Sequence, residues 1–308
     1  MKTMSNPDEK LIDKYNKIKS LALRALFSDD VLMEMLVFKG GNALNLIYQI
    51  ASRASIDLDF SIQLKIESED FIEIEAKIKR TLNNTFKEND YNVIDFKFYE
   101  RPKNHDDNQP EFWSGYRIEF KVIKKDKYEK YKDNPEFLSR SAETIGDAQL
   151  KTFYIDISKY EYCESKIPKQ FEGLRVYVYS PQMIVIEKLR AICQQMSEYR
   201  ISIKGNNTGI SERARDFYDI YTIIEKLKID LLTHENIELL DKIFGVKKVP
   251  INFLKKISEY KEFHLRGYDS LQHTVPHREN LNPFDFYFFY VVDLANKIID
   301  HVGNIHST

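Results

Sequence analysis

The sequence predicts an α+β fold, with a small mixed β-sheet flanked by helices in the first 180 residues and a helical bundle in the rest. Three observations predict it. Alternating apolar and polar residues, the pattern of half-buried strands, fall before about residue 180. Apolar residues at three- and four-residue spacing dominate after it. Ser180-Pro181, an N-cap followed by proline at the first helical position, marks the change. The chain is therefore read as a mixed domain over 1–180 and a helical domain over 181–308.

Each element follows from its own pattern. Leu11, Tyr15, Ile18, Ala22, Ala25 and Leu26 predict a helix over 8–27. The apolar run VLMEMLVFKGG stops at Gly40-Gly41, and Ala43, Leu44, Ile47 and Ile50 resume helical spacing. Residues 56–62, IDLDFSI, alternate strictly and predict a strand. Ile74, Ile78, Leu82 and Phe86 stripe one face of a helix over 69–87. Further strands are predicted at 92–99, 116–123, 152–158 and 174–179, with a basic connector at 124–135. Helices are expected at 181–196, 212–227, 231–243, 249–262 and 283–301. The last contains the aromatic run FDFYFFYVVDL, which suits a core helix or an interface.

Composition narrows the function classes. With 308 residues the chain can bury a sizeable core. A net charge of −2 does not announce a nucleic-acid binder, though a local basic patch can hide in a neutral sum. Two cysteines, Cys163 and Cys193, without a CxxC, predict free thiols in a reducing cytoplasm and exclude a cysteine-based zinc site. The N-terminus has no signal-like apolar region and no run of 18 apolar residues occurs, so neither secretion nor a membrane is expected. GxxxxGK[ST], HExxH and GxSxG are all absent. His273 and His277 are separated by Pro276, which spoils a helical zinc pair.

The chemistry concentrates in KGGNALNLIYQIASRASIDLDF, residues 39–60. Asp57 and Asp59 alternate with apolar residues, so both carboxylates face one way, about 7 Å apart along a strand. Such a pair suits a hard divalent cation, Mg²⁺ or Mn²⁺. Gly40-Gly41 ahead of a helix lets backbone N–H groups approach a phosphate. Alone, a DxD is more often a solvated strand face and a Gly-Gly a plain turn. The order and distance of the two make the signal specific.

These residues resemble the hG[GS]…DxD signature of the DNA polymerase β-like nucleotidyltransferases. The longer pattern, Lys39-Gly40-Gly41-Asn42-Ala43-Leu44 then Arg53-Ala54-Ser55-Ile56-Asp57-Leu58-Asp59, looks like the AbiEii/AbiGii-type toxin branch, with Gly41 rather than serine at the second position. Glu187-Lys188-Leu189 and the later Arg213-Ala214-Arg215-Asp216-Phe217-Tyr218-Asp219-Ile220-Tyr221 are similar to that branch's EKL…RxRDxYDxY pattern. The resemblance implies an NTP-dependent, pyrophosphate-releasing transferase. Its metal residues would be Asp57 and Asp59, with Asp216 also in the active site. Lys188 would hold the triphosphate, where a solvated helix lysine is the bland alternative. Lys39 and Ser55 would reach phosphates, or end a strand and make a turn. Asp219, Phe217, Tyr218 and Tyr221 read as structural. A third carboxylate is expected on a neighbouring strand. Asp156 is preferred over Glu119, because Arg117 and Lys121 flank Glu119 on its own face. Beside two other carboxylates it would have a raised pKa and could act as general base.

The resemblance also implies an RNA acceptor, particularly a tRNA 3′ end, and a cognate antitoxin. The sequence adds Lys121, Lys124, Lys125, Lys127, Lys130 and Lys132 interleaved with Tyr128 and Tyr131, which suits phosphates and unpaired bases or a plain solvated connector. The loop 201–211, with Lys204, reads as a lid. Two other functions fit the same residues: transfer to a small molecule or protein side chain, and a catalytically silent binding module.

Overall fold

The computed structural model describes residues 7–50, 57–102, 110–144, 150–203, 210–275 and 281–305. In chain order its elements are α1 (Pro7–Phe27), α2 (Asp30–Met35), β1 (Val37–Lys39), α3 (Gly40–Leu46), β2 (Leu58–Ser61), α4 (Ser68–Glu88), β3 (Tyr91–Arg101) and β4 (Gly115–Lys124). Then follow α5 (Lys125–Tyr131), α6 (Pro135–Arg140), β5 (Thr152–Ser158), β6 (Ile167–Phe171) and β7 (Leu174–Val178). The rest is helical: α7 (Pro181–Cys193), α8 (Ser197–Ser202), α9 (Ala214–Leu227), α10 (His234–Gly245), α11 (Lys261–Leu265), α12 (Tyr268–Gln272) and α13 (Phe284–Ile305). A 3₁₀ segment, Ile251–Tyr260, occupies most of the helix expected at 249–262. No described helix is long and apolar enough to cross a membrane.

The α+β class holds, and the sheet is mixed and seven-stranded, in the order β3-β4-β5-β2-β1-β7-β6. Two of its strands escape the alternation rule. Strand β1 has three residues, all buried, so no period can show. Strand β6 is IPKQF, an edge strand carrying proline and lysine. The central pairing β2–β5 is parallel, and β1–β2 is antiparallel.

The two faces of the sheet have opposite character because side chains alternate. Phe60, Phe120, Phe153 and Ile155 fill the core face. It packs on α1 and α4 through Tyr15–Phe153, Phe27–Phe60 and Phe86–Phe120 ring contacts at 5.9, 6.0 and 5.7 Å. Each fully buried Phe contributes roughly 2–3 kcal/mol. On the other face one row crosses five strands: Lys39, Asp59, Asp156, Arg117 and Tyr99 are successive cross-strand partners.

The helices after β7 extend the same core. Ser180 caps α7, its hydroxyl accepting from the Met183 N–H at 3.2 Å, with Pro181 next, as its sequence predicts. Helix α7 packs on α9 and α10, and α13 on α9 and the 3₁₀ segment. The aromatic run of α13 is mainly a core face: Phe284, Tyr287, Phe288 and Val291 are buried, while Phe286 and Phe289 are exposed.

Candidate active site

Strand β2 and the turn before it set the site. Asp59 lies within β2, and Asp57 in the bend just ahead, so the strand is shorter than the 56–62 predicted. Leu58 and Phe60 anchor the strand by complete burial. Asn42, fully buried in α3, donates its amide to the Asp57 carbonyl at 2.6 Å and accepts from Lys19 Nζ at 3.1 Å. That relay fixes the backbone at Asp57; the sequence gives Asn42 no role beyond its place in the family pattern, and Lys19 none.

Gly40 is required sterically. Its φ is +74°, a conformation L side chains avoid, and an added Cβ would lie 2.8 Å from Asp59 Oδ2. The Gly-Gly turn thus packs directly on the carboxylate. Burial raises the Asp59 pKa to about 7; Lys39 opposes the rise, while Asp156, Glu187 and Asp57 add to it. Asp57 is raised too, by burial and by Asp156, against Arg117 and Lys19. Two clustered carboxyls that resist ionisation are suited to a divalent cation, whose charge relieves both effects.

Asp156 is the direct parallel-strand partner of Asp59, about 4.8 Å away in the backbone direction. Glu119 pairs with Tyr154 instead, one row removed, and is held by Tyr99 and Lys97. Both Asp156 oxygens accept from Arg117, from Nε and an Nη at 2.7 Å each, and Arg101 stands 3.5 Å away. The carboxylate expected as general base is thus held through both oxygens by one guanidinium.

The helical half supplies the opposite wall. Lys188 on α7 is buried and bridges Asp216 at 2.7 Å and Asp219 at 2.8 Å on α9. Lys39 Nζ is 2.5 Å from Glu187 and 3.7 Å from Glu161. Burial alone would lower the Lys39 pKa, but Glu187 and Glu161 outweigh it and hold the ammonium charged. Glu161 takes a bidentate pair from Arg190 at 2.9 and 3.2 Å, with Lys247 at 3.3 Å. Burial would raise Glu161, yet Arg190, Lys39 and Lys247 pull it well below the usual carboxylate range. Glu161, Arg190 and Lys247 carry no motif and meet only on folding. His264 accepts the Arg213 N–H at 3.1 Å on Nδ1 and sits at the start of α9.

These walls enclose a cleft of about 620 Å³ lined by Lys39, Gly40, Gly41, Asp59, Lys188 and Asp216, among others. A second cleft of about 480 Å³ also touches Asp59 and contains Asp156. A separate groove beyond the other end of β1 and β2, around Val37, Ile62 and Glu67, contains none of these residues.

Several expected features fall elsewhere. Ser55 and Arg53 lie outside the described residues, as do His277 and 204–209 of the expected lid. The basic connector, 124–135, is α5 and the turn leading into α6, with α5 packed on β3 and β4. Tyr128 rests against a small core of Ile94, Ile123 and Ala142. Lys121, Lys127 and Lys132 pair with Asp95, Glu143 and Glu129. Phe217 and Tyr218 are buried, as expected of core residues.

A paired carboxylate on a mixed sheet, a Gly-Gly turn packed against it and a helical wall carrying the Lys188–Asp216 pair are the parts of a nucleotidyltransferase. The family model described as "Nucleotidyl transferase AbiEii toxin, Type IV TA system" matches residues 21–285. The chain belongs to this AbiEii nucleotidyltransferase toxin family. No curated protein matches it. Among solved structures, a putative nucleotidyltransferase from Helicobacter pylori is similar at TM-score 0.50 and 18% identity, over 96% of this chain and 98% of that one. JHP933 from Helicobacter pylori is similar at TM-score 0.48 and 17% identity, over 97% of each chain. MenT4, a nucleotidyltransferase toxin from Mycobacterium tuberculosis, is similar at TM-score 0.44 and 13% identity, over 82% of this chain and 68% of that one.

Proposed function

We propose that this toxin-family enzyme transfers a nucleoside monophosphate from an NTP to an RNA hydroxyl, with a tRNA 3′ end as acceptor, using Mg²⁺ or Mn²⁺, and that a cognate antitoxin balances it in the cytoplasm. The observation that carries the reading is the convergence of Asp59, Gly40 and the Lys188 wall on one cleft, with Asp57 in the bend just ahead of Asp59. The donor set is hard oxygen, which fits such a cation. Among the described residues no three carboxylate, imidazole or thiol groups close a complete metal cage. Two carboxylates with the remaining positions left to water and triphosphate oxygens is the usual Mg²⁺ arrangement.

Asp57 and Asp59 would hold the cation, and Asp156, now bonded through both oxygens to Arg117, would be the third carboxylate. When bound, the cation screens the triphosphate and lowers the barrier to attack at the α-phosphorus. Gly40 and Gly41 bring backbone close to the phosphates, and Lys39 and Lys188 balance the charge that builds on pyrophosphate. Ser55 is assigned to the phosphate rim by family pattern. Asp216 orients Lys188. The acceptor oxygen bonds to the α-phosphorus, the bond to the bridging oxygen breaks, pyrophosphate leaves and the hydroxyl proton passes to a carboxylate of the cluster.

The division into a catalytic domain, 1–180, and a helical domain, 181–308, completes the proposal, with the cleft between them. Incubation with α-labelled NTPs, Mg²⁺ and total RNA or protein tests it. Label in RNA is expected; label in protein alone, or none, would remove the RNA acceptor.

A further inference from the structure

We propose that the second cleft is the acceptor subsite, taking the single-stranded 3′ end of RNA; this rests on the RNA reading above. Strand order supports the division. The first cleft is built from β1, α3, α7 and α9, and the second from β4, β5 and the turn before β4, with β2 between them. Asp59 and Ser158 line both. A displacement at phosphorus brings the nucleophile in opposite the leaving group. Donor and acceptor must then reach the same carboxylates from different sides, and two clefts meeting at Asp59 provide this.

The second cleft has the chemistry for a nucleotide chain end. Trp113, the chain's single tryptophan, forms a wall. It is held in place: its indole N–H donates to the Tyr199 hydroxyl at 3.1 Å, and the Arg200 guanidinium lies 3.9 Å over its ring. The Trp113–Arg200 pair, with the exposed Arg101 guanidinium in the same cleft, suits an unpaired nucleotide and its phosphate. Arg101 is 47% exposed and reaches to 3.5 Å from Asp156, so it links the mouth to the carboxylates. Gly115, also in the lining, must be glycine for strand pairing, since a Cβ would come within 2.4 Å of the Ile157 carbonyl oxygen. The Lys/Tyr connector of α5 and α6, by contrast, is absorbed in packing and ion pairs.

Trp113 is a built-in reporter of this cleft. The intact protein is titrated, by tryptophan fluorescence, with a single-stranded hexaribonucleotide ending in CCA and a free 3′ hydroxyl. A saturable change is expected. Arg101→Glu should weaken that RNA by about tenfold in anisotropy, the loss of a charge-assisted contact. Binding of α,β-methylene NTP analogues with Mg²⁺ should stay within about twofold, which also confirms a folded variant. Labelling of the RNA 3′ end with no response from Trp113 and no effect of Arg101→Glu overturns the subsite and leaves the function standing. Equal weakening of nucleotide and RNA by Arg101→Glu overturns the division of the clefts. RNA that is neither bound nor labelled overturns both, because the acceptor class itself fails.

Discussion

Asp59 and Asp156 are direct partners on adjacent parallel strands, and Lys39 and Arg117 close the row on either side. Two like charges sit between two cations across the centre of the sheet. The cations are not equivalent. Arg117 grips Asp156 with two bonds, while Lys39 leans toward Glu187 and leaves Asp59 with a raised pKa. The row therefore holds one carboxylate clamped by a guanidinium and one whose proton a divalent cation would displace.

Replacing Asp59 by Asn should separate stability from activity. The folded pKa, about 7, lies above the ordinary 3.8, so native protein binds more protons than unfolded chain between those values. Wild type consequently loses stability as pH rises through that window. Asp59→Asn should have an equal or higher melting temperature at pH 8, with transfer lowered by on the order of 10³-fold. A marked drop in melting temperature would show that Asp59 supports the fold.

Gly40 and Gly173 both have positive φ, at 74° and 85°, and form an internal comparison. A Cβ at Gly173 meets nothing within 4 Å, so Gly173→Ala should cost about 1 kcal/mol of backbone strain and no activity. Gly40→Ala adds the collision with Asp59 Oδ2 at 2.8 Å. It should cost more in denaturant melts and lower transfer by about a hundredfold. Equal behaviour of the two variants would contradict the contact.

Lys188 holds two buried carboxylates on α9. Lys188→Met should destabilise by about 3–5 kcal/mol, since Asp216 and Asp219 would be left facing each other. Adding Asp216→Asn should recover part of that loss, read as a double-mutant cycle by chemical denaturation. Simple additivity would show that the pair is not coupled.

His264 predicts an acid limit. Burial lowers its pKa to about 4, with Asp216 opposing and Arg213 assisting. The unfolded imidazole takes its proton near 6.5 and the folded one resists until about 4. Stability is therefore lost as pH falls through that window, by up to roughly 3 kcal/mol. His264→Gln should flatten the pH dependence of the melting temperature there.

The sequence makes the fold class, the long helices and most strands legible because each has a period, and α7 a cap as well. Ser180-Pro181, Ile56–Ile62 and the stripe from Ile74 to Phe86 are local signals. Strand β1 is too short for any period, and α5 and α6 read as a charged connector because their burial against Ile94 and Ile123 is tertiary. In the site, Asp57, Asp59 and Gly40 are legible through spacing, and Lys188 through the family resemblance. The Arg117 clamp on Asp156, the Asn42 relay and the Glu161 network are not, since each joins residues distant in sequence through strand register or helix packing. Asp156 itself could be preferred over Glu119 only by its neighbours; register places it beside Asp59.

The most direct test is transfer of α-labelled nucleotide to RNA in the presence of Mg²⁺, with wild type and Asp59→Asn compared side by side. The account predicts label at the RNA 3′ end with wild type, lost on chelation and lost in Asp59→Asn. Undiminished labelling by a folded Asp59→Asn variant would contradict it.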